Sequence, residues 1–261
     1  MLDQITPVIM TRDEEANIER TLRQLEWARD VVVVDSFSKD ATPEIVRRFP
    51  NVRLFYREID TIAEQWNFGV AQISTPWALA LDADYFVPSE FTHELSRLAP
   101  PPGTHAYRAA FRYAVGGKTL RASLYPPREV LLYRRHCTFW QDGHTQRVRV
   151  EGAVGDLRTP LIHDDRKDFR RFVERQRHYM RREAAKIRAA DPSTLNFASR
   201  LRKLIVVAPF AVLVHTLFVK GLILDGLPGL RYVFERFVAE LMLSRELTKT
   251  GTQNAERRIE K

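Results

Sequence analysis

A chain of 261 residues, 44% apolar and 28% charged, can hold one large α/β domain or a smaller one with a tail, and this composition excludes wholesale disorder. Its single cysteine, Cys137, excludes an internal disulfide and a multi-cysteine metal site, and fits a reducing compartment. A formal charge of +8 points to an anionic partner, with nucleic acid, acidic lipid and phosphorylated substrates all open.

The opening MLDQITPVIM has no basic region and too short an apolar run for a secretory signal. Ile5 to Met10 reads as a buried parallel strand. Thr11-Arg12-Asp13-Glu14 has the form of a capping box, with Ile18, Leu22 and Leu25 at helical spacing behind it. Val31 to Val34 is a second strand ending at Asp35, and Thr42-Pro43 opens a short helix, with Asp40 as its cap. Val52 to Phe55 is a third strand, followed by a helix with Ile62, Trp66, Val70 and Ile73 on one face. Trp77 to Leu81 is a fourth, ending in Asp82-Ala83-Asp84. This alternation implies right-handed crossovers and a parallel sheet, with Thr11, Asp35 and Asp82 on one ligand-binding rim.

Past Pro100-Pro101-Pro102-Gly103 the pattern shortens. Segments 104–115, 118–125, 128–134, 145–150 and 158–163 read as antiparallel additions, with turns at Gly116-Gly117, Pro126-Pro127 and Asp142-Gly143. A basic helix runs from Arg166 to Arg188 with Phe169, Phe172, Val173 and Met180 on one stripe. Leu204 to Leu224 is apolar but interrupted by Pro209, His215 and Lys220, which fits an in-plane or re-entrant membrane helix better than a span of about 20 apolar residues. An amphipathic helix with Tyr232, Phe234, Phe237 and Leu241 follows Gly226-Leu227-Pro228-Gly229.

Two carboxylates one residue apart at a strand tip suit a hard cation and the phosphate oxygens it holds, although a lone DxD also occurs as a plain polar strand end. Asp35 is placed to accept hydrogen bonds from a nucleobase or ribose. Neither GxGxxG nor GxxxxGK[ST] is present, which argues against dehydrogenases and P-loop enzymes. No helix-turn-helix, zinc or RNP-type motif supports nucleic acid as the partner.

PVIMTRDEEANIERTL, VVVVDSFSKDAT, EQWNFGV and ALALDAD, in this order, resemble the family 2 glycosyltransferases of the GT-A fold. The resemblance implies an α/β domain at 1–165, with a nucleotide-sugar half at 1–99 and an acceptor half at 100–165, and a membrane-associated helical tail at 166–261. It implies Thr11, Asp13, Glu14, Asp35, Asn67 and Asp82 around a nucleotide-sugar donor, taken as a UDP-sugar. Asp82, Asp84 and His163 would hold Mg2+ or Mn2+. Where the family often has an arginine before that asparagine, this chain has Trp66. The second half resembles bacterial enzymes that add sugars to lipopolysaccharide core or envelope glycans. That implies a lipid-linked or lipopolysaccharide glycan acceptor, an inverting reaction, and an anionic membrane on the cytoplasmic face of the bacterial inner membrane. Asp142 would take the acceptor proton, with His144 as its rival, because Gln146 stands where such relatives carry an acid. Asp142-Gly143 also reads as a simple hairpin turn. A dehalogenase-type phosphatase would carry its DxD at the first strand, and a nucleotidyltransferase a glycine-rich loop after it. A catalytically inactive module of the same fold, acting as a membrane-surface scaffold, is the other reading.

Overall fold

The computed structural model describes residues 1–58, 61–142, 145–193 and 195–259, with side chains as far as residue 249. The chain forms two compact units: Met1–Thr119 with Tyr125–Arg166, and Leu120–Leu124 with Lys167–Lys261.

The first unit begins with β1 (Ile5–Thr11), α1 (Ile18–Arg23), β2 (Val31–Asp35), α2 (Thr42–Val46), β3 (Val52–Tyr56), α3 (Ile62–Ala71) and β4 (Trp77–Asp82). It continues through β5 (Tyr85–Phe86), α4 (Ser89–Arg97), β6 (Thr104–Ala109), β7 (Phe111–Val115), β8 (Lys118–Thr119) and β9 (Arg128–Tyr133). The strands β10 (Cys137–Asp142), β11 (Thr145–Val150), β12 (Ala153–Asp156) and β13 (Leu161–His163) complete it.

The main sheet runs β12-β6-β9-β4-β1-β2-β3, and β1 to β4 are mutually parallel while β9 runs antiparallel to β4 and β6. Strand order reverses at β1, so the crevice beyond the ends of β1 and β4 is the topological switch point where such sheets bind ligands. Period-two alternation divides β2 between two cores. Val31 and Val33 pack with Ile18, Leu22, Ile45 and Phe91 on one face, and Val32 and Val34 with Ala63, Trp66 and Val70 on the other. Helix α3 lies close on β1 because Gly69 presents no side chain: a Cβ there would meet Met10 Cε at 2.7 Å and Val8 Cγ1 at 2.8 Å.

Several expected elements take a different form. The capping box does not form: Thr11 ends β1 and donates its hydroxyl to Asp35, while Asn17 precedes α1 without a side-chain cap. The expected strand at 104–115 breaks at Ala110, and β7 leaves to pair in parallel with β13. Of 118–125 only Lys118–Thr119 is strand, and 158–163 shortens to Leu161–His163.

The second unit holds α5 (Phe169–Ala189), α6 (Phe197–Arg202), α7 (Val207–Val214) and α8 (Gly226–Ile259). The apolar run 204–224 is not one helix. After α7 come a π turn at His215–Val219 and a 3-10 turn at Leu222–Asp225, separated by Lys220 and by Gly221, whose φ of 68° admits glycine at low cost. Among the described residues no single helix is long and apolar enough to cross a membrane; Val207–Val219 and Leu222–Lys249, bent by 66°, reach that length and composition together. Large apolar side chains stand exposed along this region, among them Val206, Phe218, Val219, Leu224 and Leu227.

Candidate active site

The β1–α1 and β2–α2 loops are fastened to each other at the sheet rim. The buried Asp35 accepts from Thr11 Oγ1 at 2.8 Å, Ser38 N at 2.8 Å and Ser38 Oγ at 2.5 Å. Asp13 accepts from Lys39 N, and its own N–H donates to Ser38 Oγ, both at 2.8 Å. Glu14 N–H donates to Thr42 Oγ1 at 2.7 Å, and Asp40 accepts from the Thr42 N–H at the start of α2. Thr11, Asp13, Glu14 and Asp35 therefore share one polar rim. Phe37, unremarked in the sequence, stands 55% exposed beside Asp35, with a φ of 55° and its ring stacked on Tyr56. A bulky residue in the left-handed region is a true outlier, and such strain gathers at ligand sites.

Across the switch point, Met10 pairs with Asp82 in register, so β4 carries Asp82-Ala83-Asp84 to the same rim. Burial and the neighbouring Asp84 charge push the Asp82 carboxyl up, against the opposing pull of Arg128 and Tyr85. His163 Nε2 lies 3.0 Å from Asp84 Oδ2. Burial works against the charged imidazolium of His163, but the Asp84 carboxylate outweighs it and the pKa is raised. Among the described residues the buried His163 Nδ1 has no hydrogen-bond partner, and the ring packs among Tyr85, Tyr113 and Tyr125.

A strap after His163 holds this arrangement. Buried Asp164 accepts from Arg20 Nη1 at 2.7 Å, Arg166 Nε at 3.0 Å and Gly117 N at 3.2 Å, while Arg20 Nη2 reaches the Asp164 carbonyl. The Asp164 N–H donates to the Asp84 carbonyl at 3.0 Å. Arg20 lies two residues after Ile18 in α1, and nothing in the local pattern announces its partner.

The β10–β11 hairpin places the remaining candidates. Asn67 clasps β10 from α3, donating to the Phe139 carbonyl and accepting from the Phe139 N–H, both at 2.9 Å, and Trp66 stacks on the Phe139 ring at 5.2 Å. A small cavity of about 30 Å3 beside Asp82 is lined in part by Trp66, Phe139, Arg128, Glu129 and Gln146. Asp142 is not among its lining: its carboxylate accepts from Arg147 Nε at 2.6 Å, on the hairpin face that also bears Trp140 opposite Arg147. Thus Asp82, Asp84 and His163 are brought together, whereas Asn67 and Asp142 are engaged elsewhere on the hairpin. His144 lies outside the described residues.

Among the described residues no three His, Cys, Asp or Glu side chains are set to hold a metal by themselves. The donor chemistry nonetheless fits Mg2+ or Mn2+. Mg2+ is usually held by one or two carboxylates, substrate phosphates and water, without a complete protein cage. Asp82 and Asp84 supply such a pair, and the upward push of Asp84 on Asp82 is the repulsion a cation relieves.

Residues 6–148, from β1 through most of β11, match the model of glycosyl transferase family 2. The chain belongs to that family. It is a glycosyltransferase, and the matched segment contains Thr11, Asp35, Asp82, Asp84 and Asp142 but neither His163 nor the C-terminal helices. The transferase is 27% identical over 235 residues to the lipopolysaccharide core biosynthesis glycosyltransferase LpsC of Rhizobium meliloti (strain 1021), covering 86% of this chain and 84% of that one. Among solved structures it is similar to S. aureus TarS 1–349 in complex with UDP, at 15% identity and a TM-score of 0.44, covering 95% of this chain and 92% of that one. It is also similar to Mycobacterium tuberculosis glucosyl-3-phosphoglycerate synthase in complex with Mn2+, UDP and glucosyl-3-phosphoglycerate, at 14% identity, TM-score 0.47 and 72% and 81% coverage.

Proposed function

We propose that this glycosyltransferase moves a sugar from a UDP-sugar to a hydroxyl of a lipid-linked or lipopolysaccharide-type glycan, with inversion. The observation that carries the reading is the carboxylate pair Asp82 and Asp84 at the end of β4, facing the switch point beside the Thr11–Asp35 rim. The relation to an enzyme named for lipopolysaccharide core biosynthesis supports the acceptor class.

Thr11, Asp13, Glu14 and Asp35 form the donor rim, with Phe37 offering an exposed ring to the base. Asp82 and Asp84 hold Mg2+ or Mn2+ when it is bound, and that ion supplies positive charge to the diphosphate leaving group. His163 positions Asp84 through its Nε2 contact. Asn67 serves the donor side by fixing β10 against α3. Asp142 accepts the proton from the attacking hydroxyl once Arg147 is displaced, while Glu129, in the cavity wall beside Asp82, is the second reading for that base. The exposed apolar side chains of the helical unit support its place on the cytoplasmic face of the bacterial inner membrane.

The test is turnover of a UDP-sugar with a purified glycan acceptor. Asp84→Ala abolishes transfer while the circular dichroism spectrum stays native; a variant as active as wild type removes the carboxylate pair from the mechanism. Asp142→Asn lowers kcat with little change in donor binding. If Glu129→Gln is the variant that loses kcat and Asp142→Asn keeps it, the base is Glu129.

A further inference from the structure

Between α5 and α8 lies a groove of about 440 Å3 whose floor is apolar, formed by Val173 and Met180 from α5 and Val238 and Met242 from α8. Its walls are cationic. Arg177 and Arg181 stand four residues apart on α5 and face Arg245 and Lys249, also four apart on α8, with Glu246 as the carboxylate among them. Lys249 pairs with Glu246 at 2.5 Å. The guanidinium groups of Arg177, Arg181 and Arg245 have no ion pair or hydrogen bond among the described residues. Like charges four apart on a helix cost a few tenths of a kcal/mol per pair. With Lys249 balanced by Glu246, the three guanidinium groups of Arg177, Arg181 and Arg245 still face one another across the groove, a repulsion that an anion would relieve.

The floor decides what kind of anion fits. A bare inorganic ion gains nothing from four apolar side chains, whereas a phosphate attached to a hydrocarbon chain satisfies both surfaces. The groove is also continuous with exposed apolar surface. The ring centroids of Phe169 of α5 and Phe234 of α8 stand 5.6 Å apart, and both side chains are partly open to solvent. At about 100° per residue, Leu227, Leu230, Phe234 and Leu241 fall on one face of α8, and Val238, Arg245 and Lys249 continue it. The stripe is apolar first and cationic last, the order in which a helix lying on a bilayer meets acyl chains and headgroup phosphates.

We propose that the α5–α8 groove is a binding site for an anionic phospholipid, its headgroup phosphate held by Arg177, Arg181, Arg245 and Lys249 and its chain lying on the apolar floor. The inference rests on the membrane placement proposed above and sharpens it from a charged surface to a defined site.

The test uses the full chain and sedimentation with vesicles of phosphatidylcholine, with and without phosphatidylglycerol. Wild type binds the phosphatidylglycerol vesicles more tightly than the neutral ones. Arg177→Gln with Arg181→Gln, and separately Arg245→Gln with Lys249→Gln, each lower that affinity about 30-fold, the factor for two cations at about 1 kcal/mol each. Arg182→Gln with Lys186→Gln removes the same charge from the other side of α5 and leaves most of the binding. Equal losses in all three double variants overturn the site while leaving general membrane attraction standing. No binding of wild type to either vesicle overturns the site and the membrane reading together. UDP binding, measured alongside, stays unchanged in every variant and shows that the first unit is intact.

Discussion

Replacing Arg20 by methionine tests how the strap after His163 is held. The substitution keeps an unbranched apolar stem and removes the guanidinium that donates to Asp164 Oδ2 at 2.7 Å and to the Asp164 carbonyl at 2.8 Å. Asp164 is only 3% exposed, so the loss leaves a buried carboxylate. Removing one partner of a buried pair costs about 3–5 kcal/mol when the remaining charge is uncompensated. Here Arg166 at 3.0 Å and the Gly117 N–H at 3.2 Å remain, which brings the expected cost to about 2–3 kcal/mol. Urea unfolding followed by tryptophan fluorescence measures it, because Trp27, Trp66, Trp77 and Trp140 all lie in the first unit. A double-mutant cycle with Asp164→Asn should return a coupling of about 1–2 kcal/mol. An Arg20→Met variant within about 0.5 kcal/mol of wild type, the range of an ordinary surface change, would refute the strap as a stabilising element.

Gly69→Ala forces a methyl against Val8, Met10 and Val34, an overpacking cost of about 1–3 kcal/mol set against the ~1 kcal/mol alanine gains over glycine in a helix; the midpoint of urea unfolding falls, and a rise would contradict the close α3–β1 approach. Burial pushes the Cys137 thiol up to about 12, and its S–H donates to the His105 carbonyl. At pH 8 the thiolate is then roughly one part in ten thousand, so iodoacetamide labels the folded protein about a thousandfold more slowly than a free cysteine. Labelling at the free-thiol rate would show that the thiol is not held as described.

What the sequence disclosed follows from how local each signal is. Strands β1, β2 and β4 are continuous apolar runs because both faces are covered, and their ends fixed where Thr11, Asp35 and Asp82 stand. Helix α4 escaped notice because only Phe91 and Leu95 of its nine residues are buried. Strand β10 was hidden because its inward residue Phe139 is anchored by Asn67 and Trp66 from a distant helix, not by its own alternation. The same holds for the site. Asp82 and Asp84 are legible as a strand tip, whereas Arg20 with Asp164, Arg128 beside Asp82, and Phe37 over Tyr56 exist only once the chain is folded. Asp142 shows the limit most clearly: its type suits a base, but only the folded hairpin shows Arg147 on its carboxylate and Gln146 in the cavity lining.

The central claim is that Asp82 and Asp84 bind the nucleotide diphosphate through a divalent ion. Isothermal titration of UDP into wild type and Asp84→Ala, each with Mn2+ and with EDTA, tests it most directly. The account predicts binding by wild type only with Mn2+ and none by Asp84→Ala under either condition. UDP binding of equal strength with EDTA, or in the variant, would contradict it.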